Sequence, residues 1–288
     1  MNQDQIARTV QLPDGTTLPA IGQGTWYMGE KDSSRTKEVR ALRDGIELGM
    51  TLIDTAEMYA EGGAEEVTGE AIEGCRDDVF LVSKVYPHHA DRQQMITACE
   101  NSLQRLGTDR IDLYLLHWRG RVPLEETVEA MEQLKQAGKI LRWGVSNLDI
   151  DDMQELWNLP GGKHCAVNQV LYHAASRGIE YDLLPWLRER HVPVMAYCPL
   201  AQGGRLRKEL LEHPVIQEIA EARNVTTSQI ALSWVIREGD VIAIPKAVQL
   251  EHVADNAAAM NLVLTPEEEA RLNEVFPAPQ RKVPLDIV

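Results

Sequence analysis

An aspartate, a tyrosine, a lysine and a histidine stand out in this 288-residue sequence because of where they fall. Asp54 follows the apolar run Thr51-Leu52-Ile53, Lys84 follows Phe80 to Ser83, and His117 follows Asp112 to Leu116. Tyr59 lies five residues past Asp54. A free phenol has a pKa of about 10 and is a poor acid–base catalyst near neutrality. A neighbouring ammonium stabilises the phenolate and lowers that pKa, and a carboxylate holds the ammonium in place and charged. An imidazole can orient a carbonyl oxygen. The set suits proton donation to an oxygen while a hydride arrives at carbon. Taken singly, each residue has a plainer reading: an Asp after a strand caps the next helix, a Lys is solvated, a His is a satisfied, half-buried side chain. Those readings weaken when all four must converge on one rim.

The elements that would bring them together are eight apolar runs, at 21–26, 51–56, 79–84, 111–118, 140–147, 165–170, 192–200 and 241–246. Amphipathic stretches such as 33–49, 126–139 and 180–191 lie between them. The pattern predicts an α/β fold, a (β/α)8 TIM barrel forming one domain over 1–288. The runs are apolar throughout, as strands buried on both faces are. In such a barrel the chemistry gathers at the C-terminal strand ends. Ser146-Asn147, Asn168-Gln169 and Lys246 also fall there. Pro13-Asp14-Gly15 predicts a β-hairpin ahead of the barrel. Thr265-Pro266-Glu267-Glu268 has the form of a capping box opening an extra C-terminal helix. The segment 201–214, with Gly203-Gly204, reads as a long functional loop.

A net charge of -15 argues against nucleic acid as a partner. An anionic cofactor would need a local basic site against that overall field. Cys75, Cys99, Cys165 and Cys198 form no CxxC pair and read as free thiols, which places the protein in the reducing cytoplasm. No apolar run is long enough to cross a bilayer, so no membrane partner is expected. No metal is expected: His88-His89 point apart and read as loop residues. Gly22-Gln23-Gly24 has the start of a dinucleotide fingerprint but no following helix or third glycine.

Five separated segments resemble the aldo-keto reductases: 49–59 around Asp54 and Tyr59, Val82-Ser83-Lys84, Leu113 to Trp118, Gly144 to Asn147, and Ile244-Pro245-Lys246. The likeness runs over roughly 8 to 275, in the same order. It extends to bacterial aldehyde or methylglyoxal reductases and to diketogluconate-reductase-like members. The resemblance implies that Tyr59 donates the proton, that Lys84 paired with Asp54 lowers its pKa, and that His117 orients the substrate carbonyl. It implies that Ser146, Asn147 and Gln169 hold the nicotinamide carboxamide, with Tyr197 stacked on the ring. Pro199, Leu200, Gln202 and Gly203 would line the pyrophosphate, and Ile244, Lys246, Ala247, His252 and Asn256 the adenosine phosphate end. Gly24, Thr25 and Trp26 complete the implied cofactor contacts, and Trp26, Tyr86, His117 and Trp118 wall the substrate pocket.

NADPH is the implied cofactor. NADH is the alternative, because Ala247 and His252 stand where relatives have Ser or Thr and Arg. The implied substrates are small aldehydes and α-dicarbonyls such as methylglyoxal, reduced by a monomer. A short tail after Phe276 predicts an open pocket with few closing contacts. The alternatives are a reductase of keto-sugars such as diketogluconate, a Schiff-base lyase using Lys84, and a non-enzymatic regulatory module of the same fold.

Overall fold

The computed structural model describes residues 7–288. Two short strands, β1 (Thr9–Gln11) and β2 (Thr17–Pro19), pair antiparallel around Gly15 at φ +89°. A residue without Cβ takes that φ freely, which is why Pro13-Asp14-Gly15 turns here. Val10, Leu12 and Leu18 bury the hairpin against the main body.

Eight parallel strands follow: β3 (Gln23–Gly24), β4 (Leu52–Asp54), β5 (Phe80–Val85), β6 (Leu113–Leu116), β7 (Trp143–Ser146), β8 (Cys165–Leu171), β9 (Val194–Tyr197) and β10 (Val241–Ala243). Each pairs with the next in sequence order. The first and last are joined only by a bridge, Ile21 to Ala243, with Gly22 N–H on Ala243 O at 2.8 Å and Gly24 N–H on Pro245 O at 3.1 Å. The sheet thereby closes as a barrel. Each apolar run supplies one strand. β4, β6 and β8 are buried at every residue, as continuous apolar runs require.

The connecting helices are α1 (Asp32–Glu47), α2 (Gly63–Ile72), α3 (Arg92–Leu106), α4 (Leu124–Gln136), α5 (Ile150–Asn158), α6 (Leu183–Glu189), α7 (Arg205–Leu211), α8 (Pro214–Arg223), α9 (Thr227–Val235) and α10 (Leu250–Ala259). α11 (Pro266–Val275) is the extra helix, and its capping box between Thr265 and Glu268 forms as the sequence indicates. Asp91 caps α3 by accepting from Gln93 and Gln94 N–H, and Gly107 ends it at φ +62°. The segment 201–214 differs from the loop expected of it. Leu206, Leu210 and Leu211 share a helical spacing, and α7 forms there with Leu210 buried.

Alternation along β5 has a direct consequence for position. Ser83 and Lys84 are both fully buried, but successive strand residues face opposite sides. Ser83 meets α2 outside the barrel, and Lys84 meets the Asp54 carboxylate inside it.

Candidate active site

A cleft of about 810 Å³ opens at the C-terminal strand ends. Asp54, the last residue of β4, and Lys84 in neighbouring β5 form an ion pair of 2.7 Å in which Lys84 is wholly buried. The ammonium donates to Asp54 Oδ2 at 2.7 Å, Thr55 O at 2.9 Å and Tyr59 Oη at 3.1 Å. As an ammonium it has no lone pair to act as a nucleophile, and all three of its protons are hydrogen-bonded. Tyr59 packs edge-on against the His117 ring, with centroids 5.6 Å apart. The four residues singled out by type and spacing are therefore adjacent.

Their protonation departs from the sequence expectation in one respect. Burial pushes the Tyr59 phenol well above its ordinary value, and the Asp54 charge adds to this. Desolvation outweighs the favourable ammonium. Burial also lowers Lys84, while the Asp54 charge and hydrogen bond oppose the fall. His117 is held well below the usual imidazole range, first by burial and then by the Lys84 charge. A neutral phenol thus faces a neutral imidazole, and His117 Nδ1 has no hydrogen-bond partner. This arrangement can donate a proton to an oxygen placed between them, with the ammonium ready to stabilise the phenolate left behind.

The other expected residues divide into two groups. Gly24, Thr25, Trp26, Ser146, Asn147, Gln169, Tyr197, Pro199, Leu200, Gln202, Gly203, Ile244 and Lys246 line the same cleft, as does Trp118. Tyr86 does not; it stands edge-on behind Trp118 at 6.0 Å. Ala247, His252 and Asn256 also lie outside the lining, with His252 exposed and Asn256 buried on α10. Gln169 and Asn147 are already engaged: Gln169 Nε2 donates to Asp54 Oδ1 at 2.8 Å, and Asn147 Oδ1 accepts from Tyr197 Oη at 2.8 Å.

Several lining residues carry no sequence signal. Tyr27, at φ +68°, stacks on Trp26. Arg207 reaches the cleft from α7, flanked by Arg205 and Lys208, which pair with Glu209 and Glu212. The one available clue was its place in a basic run just after Gly203-Gly204. Arg207 and Lys246 make no ion pair among the described residues, whereas Arg119 is neutralised by Asp152 and Glu155. The cleft therefore carries two cations without an acidic partner within an acidic protein.

The expectation of few closing contacts is corrected. Ile287 and Val288 line the cleft. The tail that carries them is tied down by Lys282, bonded to Asp149 at 2.5 Å and Asp182 at 2.9 Å, and by a Ser176–Asp286 hydrogen bond. Gly178 lets the tail approach: a Cβ there would lie 2.8 Å from Val283 Cγ2.

The fold agrees with what comparison finds. The model of the aldo/keto reductase family matches residues 20–276. The chain belongs to that family. It is 60% identical to methylglyoxal reductase YeaE of Escherichia coli, over 98% of this chain and 99% of that protein. It is 32% identical to glyoxal reductase of Bacillus subtilis, over 92% and 91%. Among solved structures it superposes on an aldo/keto reductase from Klebsiella pneumoniae in complex with NADP and acetate, with a TM-score of 0.96 and 61% identity, over 98% of this chain and all of that one.

Proposed function

We propose that this protein reduces small aldehydes and α-dicarbonyls, methylglyoxal among them, to alcohols with NADPH. The observation that carries the reading is the buried Asp54–Lys84–Tyr59 chain facing a neutral His117 across the cleft. NADPH when bound supplies the hydride. Three features of the cleft fit that cofactor: Arg207 and Lys246 for phosphate charge, the Ser146, Asn147 and Gln169 side chains for the carboxamide, and the Tyr197 ring for stacking. The N-terminus of α10 has no side-chain cap and leaves backbone N–H groups for a phosphate oxygen.

In this reading the chain's own groups do the following. His117, neutral at working pH, donates its N–H to the substrate oxygen and orients it. Tyr59, protonated because it is buried, gives that oxygen its proton. Lys84 offsets the charge left on the phenolate, and Asp54 keeps Lys84 charged. Trp26 and Trp118 wall the reacting centre, with Ile287 and Val288 from the tail. The relative that reduces methylglyoxal supports the substrate class. The protein is read as a single-domain, monomeric enzyme of the cytoplasm. One apolar core runs through the described residues, and no helix among them is long and apolar enough to cross a membrane.

The test is loss of NADPH absorbance with methylglyoxal, glyoxal, larger aldehydes and a keto-sugar acid. Methylglyoxal should give a kcat/KM at least tenfold above the keto-sugar acid. The reverse order would overturn the substrate assignment, and no NADPH oxidation with any carbonyl would overturn the reductase reading.

A further inference from the structure

Gln169 is 2% exposed and lies on β8. In the closed strand order β8 is four steps from β4 in either direction, so the two strands oppose each other across the barrel. The hydrogen bond from Gln169 Nε2 to Asp54 Oδ1, 2.8 Å long and spanning 115 residues of sequence, therefore crosses the barrel interior. Asp54 is only 2% exposed. Lys84 occupies its Oδ2, and Gln169 supplies the donor at Oδ1. An ionised carboxylate accepts only, so the Gln169 amide has one orientation available: NH2 toward Asp54 and Oε1 away from it.

We infer that Gln169 is a positioning residue for proton delivery, acting through Asp54 and Lys84 on Tyr59, in addition to any contact it makes with the cofactor. The inference rests on the reading of Tyr59 as proton donor. The physical argument is electrostatic. The amide presents the positive end of its N–H dipole to the Asp54 carboxylate and offsets part of its charge. Lys84 and Tyr59 sit in the same water-poor space, where such offsets are weakly screened. Without the amide donor the potential around them becomes more negative, and both hold their protons more tightly. Tyr59 then becomes a weaker acid, and the ammonium has more carboxylate charge to balance. Since Oε1 faces away from Asp54, a donor on a bound carboxamide would meet an acceptor whose orientation the relay has already fixed. Cofactor binding and proton delivery then share one side chain.

The titratable groups facing this position are Asp54 from β4, Tyr59 after it, Lys84 from β5, His117 after β6, and Tyr197 with Cys198 at the end of β9. The Cys198 thiol is pushed up to about 11 by burial and stays neutral, as does His117. A new ionisation at position 169 is therefore distinguishable from those of Cys198 and His117.

Gln169→Leu and Gln169→Glu in the full chain test the inference. In Gln169→Leu, kcat for methylglyoxal should fall at least tenfold at every pH. In Gln169→Glu the new carboxyl, while protonated, donates to Asp54 as the amide did, so kcat at the acid end should be at least fivefold above that of Gln169→Leu. It should then fall at least tenfold as that carboxyl ionises. A readout independent of turnover is the ¹³Cε resonance of Lys84 in the cofactor-free protein, with labelled lysine and assignment by Lys84→Met. In Gln169→Leu the Lys84 ammonium should keep its proton to a pH at least half a unit higher than in wild type. If Lys84 titrates as in wild type in both variants while only NADPH binding weakens, Gln169 serves the cofactor alone and the inference is overturned. The same follows if the two variants have pH profiles of the same shape. Should Gln169→Leu fail to fold, the near-isosteric Gln169→Glu carries both measurements. A Tyr59→Phe variant with wild-type turnover would remove the proton-donor reading, and the Lys84 titration would still decide whether Gln169 acts on the ion pair.

Discussion

Two ion pairs hang from consecutive residues of β5, one on each side of the barrel wall, the inner one buried and the outer one with Arg105 partly exposed. Inside, Lys84 binds Asp54 at 2.7 Å. Outside, Ser83 donates to Glu65 at 2.6 Å, and Arg105 of α3 closes the same carboxylate at 2.6 Å. Glu65 is as buried as Lys84. Burial and charge alone thus fail to separate the pair proposed for the chemistry from the structural one. The separation lies in what else the charge touches. Lys84 spends its third proton on a phenol that opens onto the cleft. Glu65 spends its oxygens on tying α2, α3 and the strand together. Beside it Gly69 packs so closely that a Cβ would lie 2.8 Å from the Arg105 and Leu106 carbonyls.

The largest effect expected on either side is at the end of the inner chain. Tyr59→Phe should lower kcat by about 10³-fold, within the range usual for a positioned proton donor. NADPH affinity, read by fluorescence titration, should change less than threefold, and thermal stability should be nearly unchanged. Turnover within tenfold of wild type would erase the distinction drawn between the two pairs. On the outer side, Glu65→Gln should reverse the pattern. Urea unfolding should show a loss of about 2 kcal/mol, because the part-buried Arg105 charge is left without its counter-ion. The kcat of the folded enzyme should stay within threefold. A stable Glu65→Gln protein with impaired turnover would mean that the outer pair reaches the chemistry after all.

The smallest effect sharpens the comparison with a buried group that belongs to neither pair. His173 is held at about 4 by burial, against the opposing charge of Asp286. Unfolded, it takes a proton near 6.5. Between those values the unfolded chain binds more protons than the folded one, so stability falls as pH drops from about 6.5 toward 4. At pH 5 the cost relative to pH 7.5 is about 2 kcal/mol. His173→Asn should remove about that much of the acid-induced loss in urea unfolding. An unchanged pH dependence would show that the imidazole is not held neutral in the fold.

The barrel was legible in the sequence because parallel strands buried on both faces leave uninterrupted apolar runs, and each run became a strand. The inner chemical set was legible for a related reason: a polar residue directly after such a run has nowhere to sit but the rim. What stayed hidden was set by distance or by backbone. The Gln169–Asp54 bond joins strands that no local pattern connects. Arg207 looks in sequence like any surface cation of a helical run. Tyr27 reaches the cleft through a positive φ that its side chain does not advertise. Tyr86 failed in the opposite sense: an aromatic after a strand pointed behind Trp118 instead of beside it. The sign of the Tyr59 shift was missed because sequence shows the charged neighbour but not the depth of burial that outweighs it.

One feature of the barrel wall bears on how the enzyme holds its shape. Neighbouring strands of the wall pair as ladders, with a register shift between β7 and β8, except at β3 and β10, which meet through one bridge and a few backbone bonds. Gly24 packs there so tightly that a Cβ would lie 2.7 Å from Ile244 O. Gly24 on one lip and Ile244, Pro245 and Lys246 on the other all line the cleft. A ligand that spans Gly24 and Lys246 would therefore fasten the first strand of the barrel to the last. The thinnest place in the wall is also part of the cleft lining, so a ligand bound there would act as a rivet across the seam.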